Sequence, residues 1–290
     1  MINGIINVYK EEGYTSFDVV AKLRGITKIR KIGHTGTLDP DATGVLPVCI
    51  GSATKLCDML TDKTKEYVAD MKLGITTDTQ DMSGQVIDEK EVNITIDELR
   101  DAILSFIGPS KQIPPMYSAL KVGGKKLCDM ARAGVTVERK PRDINISDIK
   151  ILDIDDTSAK IRVSCSKGTY IRTLCNDIGQ KLGCGAVMTG LVRTRSGSFA
   201  IDKAYKLDQI EELAKKGELD SIVTNVDEVF SDHKAVTVSG ENEKRVLNGN
   251  QIRLDMKERF VRVYLENGSF AAVYSFDKNK DCFVPFKMFL

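Results

Sequence analysis

The sequence predicts an α+β fold: a large domain with a mixed, mainly antiparallel sheet flanked by helices, followed by a small β-rich domain. Helical and strand patterns interleave along the first 230 residues without a regular βα repeat, which disfavours a doubly wound sheet. Beyond them, two alternating runs are joined by Asn267 and Gly268, a strong hairpin signal. A chain of 290 residues can hold one large and one small domain. We therefore place the domains at residues 1–230 and 231–290.

The first predicted elements are a strand and two helices. GIINVYK, residues 4–10, has the composition of a strand. Thr15 or Ser16 can cap an amphipathic helix, and Ser52 or Thr54 can cap a short helix further along. The apolar positions of the first helix are Val19, Val20 and Leu23.

A strand and a helix are predicted next. EYVADMKL alternates and places on one face Tyr67, Ala69, Met71 and Leu73. In TIDELRDAILSFIG, Thr95 and Glu98 have the spacing of a capping box, and Gly108 is suited to end the helix.

The remainder of the large domain continues this interleaving. AKIRVSC alternates as a strand, and TYIRTLCNDIGQKLG has helical spacing up to Gly183, with Arg172 in or near the first turn. AVMTGLVRTRSG reads as a strand, and LDQIEELAKKG as the helix that closes the domain.

Two basic segments stand out although the net charge is only +1. Residues 22–31 hold five basic residues and no acid, and residues 120–143 hold seven basic residues against three acids. Either segment alone could be a solvated face, but together they favour an RNA partner. The second belongs to a segment of weak periodicity, about residues 112–143, which we expect to be a long insertion that grips this partner.

Composition disfavours several other classes of protein. No stretch approaches the roughly 18 consecutive apolar residues of a membrane span, and the N-terminus lacks a secretory signal pattern, so we expect a cytoplasmic protein. Seven cysteines without a Cys-x-x-Cys pair argue against a disulfide framework. With only His34 and His233, far apart in the chain, we expect no metal site.

GHTGTLDPDATG, residues 33–44, is the most informative segment. Asp39 precedes Pro40 and is therefore held outside the helical region, while the glycines permit close backbone approach to a ligand. Asp39 could be a preorganised catalytic carboxylate or could form an Asx-turn. Phosphate-binding glycine motifs and Gly-x-Ser-x-Gly do not occur, and adjacent Asp39 and Asp41 make a poor glycosidase pair.

Six ordered blocks carry a family resemblance. They are GIINVYKEEGYTSFDVV, GTLDPDATG, KEYVADMKLGITTDTQDMSG, PPMYSALKVGGKKL, CSKGTYIRTLCNDIG and LVRTRSGSF. Together they resemble the TruB-type tRNA pseudouridine synthases, which convert uridine 55 in the T arm to pseudouridine. The resemblance implies the pseudouridine synthase fold, and residues 230–290 resemble a PUA-type RNA-binding domain. Two departures are Glu11, where the family usually has proline, and Cys128, where tyrosine is usual.

The resemblance also implies roles for particular residues. Asp39 would be the catalytic carboxylate, Arg172 its partner, and Tyr67 the ring that stacks on the target base. Leu191 would form an apolar wall of the uracil pocket, and His34 would stack in the RNA site. Without the resemblance, Tyr67 and Leu191 would be assigned to the core and Arg172 to a helix surface.

The implied isomerisation needs neither a cofactor nor a metal, because it involves no redox change and no net hydrolysis. A carboxylate could act as a nucleophile at C1′ or C6, or as a base at C2′, and the sequence leaves these open. We expect a guanidinium beside Asp39 to lower the pKa of that carboxyl.

Two alternatives remain at this point. One is a noncatalytic RNA-binding or RNA-folding protein on the same fold, and the other is a synthase that acts on another RNA. For the tRNA enzyme we expect a monomer that grips the T arm through the basic insertion. The expected RNA-binding residues are Lys121, Lys125, Lys126 and Arg132.

Overall fold

The computed structural model describes residues 2–290. The strands of the large domain are β1 (Gly4–Lys10), β2 (Ile32–His34), β3 (Thr43–Ile50), β4 (Lys65–Leu73), β5 (Ile75–Thr77), β6 (Val86–Glu89), β7 (Gly108–Gln112), β8 (Lys121–Val122), β9 (Lys125–Lys126), β10 (Arg142–Ile154), β11 (Ser158–Cys165), β12 (Ala186–Ser196), β13 (Phe199–Ala200) and β14 (Val223–Asn225). Its helices are α1 (Ser16–Thr27), α2 (Cys57–Thr61), α3 (Ile96–Leu104), α4 (Leu127–Arg132), α5 (Ile171–Leu182) and α6 (Leu207–Lys216).

One large sheet organises these elements. Its strand order is β14-β1-β3-β12-β4-β11-β10-β7, with β2 paired to β3 and β13 paired to β12. The pairing of β3 with β12 is parallel, and the other strand pairs of this sheet are antiparallel. This is the predicted mixed, mainly antiparallel sheet.

Helices cover the sheet at two places. α1 and α6 pack on β1 and β3, whereas α3 and α5 pack on β4, β10, β11 and β12. The predicted buried face of β4 is confirmed, because all four of its residues lie in the hydrophobic core beneath α3 and α5: Tyr67, Ala69, Met71 and Leu73. Burial of such a face stabilises the fold by about 25 cal/mol for each Å² of apolar surface removed from water.

Two predicted helix starts are confirmed by their caps. Thr15 caps α1 in a capping box with Asp18, and Thr95 caps α3 in a capping box with Glu98. The Asp18 and Glu98 carboxylates each accept a hydrogen bond from the cap backbone N–H, which satisfies a donor that the helix leaves unpaired.

Two predicted boundaries are wrong. α3 ends at Leu104 rather than at Gly108, and Gly108 instead begins β7. The segment after β3 begins as a 3₁₀ turn over Gly51–Leu56, and neither Ser52 nor Thr54 caps α2. The Thr54 hydroxyl donates back to the Gly51 carbonyl, a local bond that competes with helix capping.

The C-terminal unit contains β15 (Lys234–Thr237), α7 (Gly240–Leu247), β16 (Phe260–Tyr264), β17 (Phe270–Asp277) and β18 (Cys282–Met288). The strands form a sheet in the order β15-β16-β17-β18, with the predicted hairpin between β16 and β17. The unit packs on the large domain, since Val273 and Phe289 share a core with Ile5 and Leu56. The chain crosses between the two sheets after β14, and the boundary at residue 230 stays a prediction.

The expected insertion, about residues 112–143, has local structure of its own. It contains the β8–β9 hairpin and α4, and its ends continue from β7 and into β10. No helix within residues 2–290 is long and apolar enough to cross a membrane.

Candidate active site

A cavity of about 450 Å³ opens where the loop after β2, strands β4 and β12 and the start of α5 meet. The walls combine apolar side chains with a few charged groups, as is typical of a binding site. All five residues that the family resemblance singled out for the base and the chemistry line it: His34, Asp39, Tyr67, Arg172 and Leu191.

The loop that carries Asp39 is fixed from both sides. The Ser16 side chain at the start of α1 accepts a hydrogen bond from the Leu38 N–H. The buried Lys10 ammonium donates to the Pro40 carbonyl at 2.9 Å. Because the residues before and after Asp39 are both held, its carboxylate has a defined position before any ligand arrives.

Arg193 on β12 also holds this loop, and no local sequence pattern identifies it as a site residue. Its guanidinium donates to the carbonyls of Val45 at 2.7 Å, Gly36 at 3.2 Å and Thr37 at 3.4 Å. Gly44 crosses the Arg193 backbone so closely that a Cβ there would lie 2.3 Å from the Arg193 carbonyl oxygen. An arginine in the strand LVRTRS does not by itself indicate a buried structural role, because arginine is also common on exposed strand faces.

Arg172 is the central charged residue of the cavity wall. It is the second residue of α5 and is only 5% exposed. Its Nη2 lies 3.0 Å from Asp39 Oδ2 and donates to the Tyr117 carbonyl at 2.6 Å, while Nη1 lies 3.2 Å from Asp81 Oδ2. The guanidinium therefore bridges two carboxylates that lie far apart in the sequence.

Asp81 is a second site residue that no local sequence pattern identifies. It lies in the turn between β5 and β6, within one of the six resembling blocks, but no local spacing connects it to Arg172. The Asx-turn alternative for Asp39 is not observed, because within the described residues the hydrogen bonds to its carboxylate come from Arg172.

The pKa of Asp39 is raised above its ordinary value of 3.8, chiefly by burial. Arg172 lowers this pKa, as expected, but Asp81 and Asp41 raise it further, and Lys10 adds a smaller lowering effect. The expected lowering by the guanidinium is therefore present, but the net shift of the pKa is upward because desolvation and the neighbouring carboxylates outweigh it. The Asp39 side chain stays 40% exposed to the cavity, so it is accessible to a ligand.

Tyr67 and Leu191 supply the apolar part of the cavity. Tyr67 is the third residue of β4 and is 9% exposed. Burial raises the pKa of its phenol above 10, so the ring is neutral at physiological pH. Leu191 lies beside it on β12, in register with Ala69. The two side chains provide a flat ring and an aliphatic wall next to Asp39.

His34 ends β2 at the rim of the cavity. Its Nδ1 accepts a hydrogen bond from the Gly36 N–H at 3.3 Å. Burial and then the Arg193 charge lower the pKa of His34 below 6.5, which favours a neutral imidazole that can stack on a base.

The basic residues of the insertion lie beside the cavity rather than in it. Residues 118–120 line the cavity and lead directly into β8. On the hairpin, Lys121 faces Lys126 across the strands. The four predicted RNA-binding side chains are all exposed: Lys121, Lys125, Lys126 and Arg132. The other basic segment is likewise exposed at Lys22, Arg24, Lys28, Arg30 and Lys31.

The two departures from the family pattern lie outside the cavity wall. The Glu11 carboxylate lies 3.5 Å from the Lys206 ammonium. This ion pair holds the loop where the family usually has the rigid ring of a proline. Cys128 lies in α4, half-buried. Across residues 2–290, no cluster of histidine, cysteine or carboxylate side chains could hold a metal ion.

Two family models match consecutive parts of the chain. The TruB family pseudouridylate synthase N-terminal domain matches residues 24–171, and the tRNA pseudouridylate synthase B C-terminal domain matches residues 172–231. Curated relatives agree. The tRNA pseudouridine synthase B of Lachnoclostridium phytofermentans is 48% identical over the full length of both chains. That of Clostridium novyi is 48% identical over 93% of this chain and 94% of its own.

Solved structures share the fold. A Cbf5-Nop10-Gar1 complex matches with a TM-score of 0.73 at 26% identity, over 99% of this chain and 85% of the matched chain. An H/ACA RNP bound to a substrate RNA containing 2′-deoxyuridine matches with a TM-score of 0.72 at 24% identity, with the same coverage.

Fold, site and relatives together define the protein as a pseudouridine synthase, an isomerase that modifies tRNA. Within that class, the chain belongs to the TruB family.

Proposed function

We propose that this enzyme converts uridine 55 in the T arm of tRNA to pseudouridine, with Asp39 as the catalytic carboxylate. The observation that carries the proposal is the pairing of Asp39 with the buried Arg172 at 3.0 Å, on the wall of a cavity also lined by Tyr67. Relatives named tRNA pseudouridine synthase B, similar over their whole length, support tRNA as the substrate.

The reaction breaks the bond from C1′ to N1, turns the uracil and joins C5 to C1′; the C5 proton leaves to solvent, and N1 takes up a proton, so that the product is an isomer of the substrate. Asp39 is the accessible anion at the cavity, and it can act as a nucleophile at C1′ or C6, or as a base at C2′. In each route the carboxylate must be ionised, and the Arg172 cation favours that form.

Tyr67, Leu191 and His34 would accommodate the uridine once it leaves its loop. Extrusion costs the stacking of the base on its neighbours, and an aromatic platform recovers roughly 1–3 kcal/mol of that loss. Tyr67 and Leu191 are held by β-sheet pairing and do not need to be ordered on binding. The wall can therefore fix the ring plane of the uracil relative to Asp39.

The β8–β9 hairpin would hold the RNA around the extruded base. Its lysines are exposed and begin one residue beyond the cavity wall, so they can reach phosphates near the target nucleotide. Such contacts position the RNA without reading its sequence.

The alternative of a noncatalytic RNA-binding protein is disfavoured by the intact carboxylate and guanidinium pair. An enzyme that acts on another RNA is disfavoured by full-length relatives named for tRNA. We further propose that the protein acts as a monomer in the cytoplasm, with residues 231–290 as an RNA-binding domain.

The experiment that tests this function uses an unmodified tRNA transcript carrying tritium at C5 of its uridines. Tritium release is compared with that from a matched transcript in which uridine 55 is replaced by cytidine. We expect release equivalent to one uridine from the first transcript and none from the second. Equal release from both would place the reaction elsewhere in the tRNA.

A further inference from the structure

Gln80 has an unusual backbone for its residue type. Its φ of +67° lies in the left-handed region, which favours glycine. Two other non-glycine residues with positive φ, Lys28 and Asp281, occupy a helix C-cap and a turn before β18, where this conformation is common. Gln80 also lies in a turn, between β5 and β6 and directly before Asp81, but glutamine lacks the short side chain that lets Asp or Asn adopt this region readily. A non-glycine residue in this conformation has an energetic cost, which contacts of its side chain can offset.

The side chain of Gln80 is tied to the helix that carries Arg172. The Thr173 hydroxyl donates to Gln80 Oε1 at 2.7 Å, and Thr173 is buried in the first turn of α5. The backbone of Gln80 is tied as well, since its carbonyl accepts from the Met188 N–H of β12 at 3.2 Å. Gln80 therefore connects its turn to α5 and β12, two of the elements that form the cavity wall.

The residues of this hydrogen bond are the sequence neighbours of the residues of an ion pair. Gln80 precedes Asp81, and Thr173 follows Arg172. The hydrogen bond between Gln80 and Thr173 thus joins the same turn and the same helix as the ion pair between Asp81 and Arg172. Arg172 Nη1 also donates to the Thr79 carbonyl of this turn at 3.5 Å, so both of these contacts run through one flexible side chain. The bond between Gln80 and Thr173 is a contact that does not pass through Arg172, and it fixes the offset of the turn relative to the helix independently of the guanidinium.

Asp81 depends on that offset because only one of its oxygens faces Arg172. Its Oδ1 accepts from the Thr79 hydroxyl at 2.7 Å and from Ser83, whereas Oδ2 lies 3.2 Å from Arg172 Nη1. A shift of the turn along α5 would move Oδ2 away from Nη1. Arg172 would then be free to follow Asp81 or to turn from Asp39.

We propose that Gln80 and Thr173 are a positioning pair that sets Arg172 between Asp81 and Asp39 and so orients Asp39 for the reaction. Neither residue lines the cavity, and both act through Arg172. The inference rests on the proposed catalytic role of Asp39.

The test uses Thr173→Val, which keeps the shape of the side chain and removes the hydroxyl, with Thr173→Ser as the matched control that keeps the donor. Gln80→Gly removes the other partner at a backbone position that glycine adopts without strain. We expect the single-turnover rate of pseudouridine formation to fall about tenfold in Thr173→Val and Gln80→Gly, because small displacements of reacting groups are costly. Affinity for tRNA should stay unchanged, and Thr173→Ser should keep the wild-type rate.

Three readouts separate positioning from a general loss of structure. The Tm of Gln80→Gly should stay within about 4 °C of wild type, since strain relief offsets the lost hydrogen bond. The acid limb of the pH–rate profile should move to higher pH in Thr173→Val, because a displaced Arg172 lowers the pKa of Asp39 less. The double variant should be no slower than either single variant, since both remove one bond.

If Thr173→Val has the wild-type rate and an unchanged acid limb, the proposed positioning role of Gln80 and Thr173 is wrong. Equal slowing by Thr173→Val and Thr173→Ser also overturns it, because the hydroxyl would then be irrelevant. These outcomes leave the proposed function intact. A wild-type enzyme that forms no pseudouridine at position 55 overturns the proposed function instead.

Discussion

Arg172 and Asp39 form an ion pair of unequal exposure: Nη2 lies 3.0 Å from Oδ2, but the guanidinium side chain is 6% exposed and the carboxylate side chain 40%. The cation belongs to the protein interior, held also by Asp81 and the Tyr117 carbonyl. The anion belongs to the cavity. The pair therefore has a fixed member that orients and an accessible member that can react.

The stability of an Asp39→Asn variant follows from the raised pKa of Asp39. The folded state binds a proton at this carboxyl more tightly than the unfolded state does, so the free energy of unfolding falls as the pH rises through the window above 3.8. Ionised Asp39 thus weakens folding at neutral pH. We expect Asp39→Asn to have a Tm equal to or slightly above that of the wild type, with a gain in the free energy of unfolding of no more than about 1 kcal/mol because the group is partly exposed.

Thermal unfolding at pH 7 measures this effect, and Asp41→Asn in the same loop serves as the control. A fall in Tm of several degrees for Asp39→Asn would show that Asp39 has a structural role, contrary to the account.

Asp81 and Arg172 should shift the pH dependence of catalysis in opposite directions. Asp81 raises the pKa of Asp39 and Arg172 lowers it. In the proposed mechanism activity requires the ionised carboxylate of Asp39, so the rate should be lost as the pH falls through the pKa of Asp39. We expect the acid limb to move to lower pH in Asp81→Asn and to higher pH in Arg172→Gln, with lower maximal rates in both.

Single-turnover rates from pH 4 to 8 provide this measurement, with the exposed Asp88→Asn as a charge-matched control. Acid limbs that move together, or not at all, would show that the limb reports a group other than Asp39.

Arg193 should matter for the loop as a whole. Arg193→Met removes the donor that holds three carbonyls, and burying such acceptors unpaired costs about 1–3 kcal/mol each. We expect a loss of about 3 kcal/mol in the free energy of unfolding by urea. Arg195→Met, two residues along the same strand and largely exposed, should change it by less than about 0.5 kcal/mol. Equal effects would contradict the assigned role.

The basic hairpin should contribute to affinity through phosphates. Reversing the charge of Lys125 and Lys126 to glutamate should weaken tRNA binding at least tenfold and reduce the slope of log Kd against log salt by about two. The reaction rate at saturating tRNA should change little. The control reverses Lys215 and Lys216, which are exposed on α6. If the slope of log Kd against log salt is the same for the wild type and the hairpin variant, the hairpin lysines do not contact the tRNA phosphates.

Local patterns predicted much of this molecule, and nonlocal geometry accounts for the rest. The buried face of β4, the capping boxes at Thr15 and Thr95 and the β16–β17 hairpin depend on residues a few positions apart. Asp81 and Arg193 could not be found in that way, because their partners lie far along the chain. The direction of the Asp39 pKa shift was also beyond the sequence, since desolvation and the approach of Asp81 exist only in the folded structure.

Asp39 is the proposed reacting carboxylate. The decisive measurement is the single-turnover release of tritium from C5-labelled uridine 55 by the wild type and by Asp39→Asn, with tRNA affinity determined for both. We expect release by the wild type, a loss of at least about 1,000-fold in Asp39→Asn, and unchanged tRNA binding. Release by Asp39→Asn at a rate near wild type would contradict the account, because the chemistry would then reside elsewhere in the site.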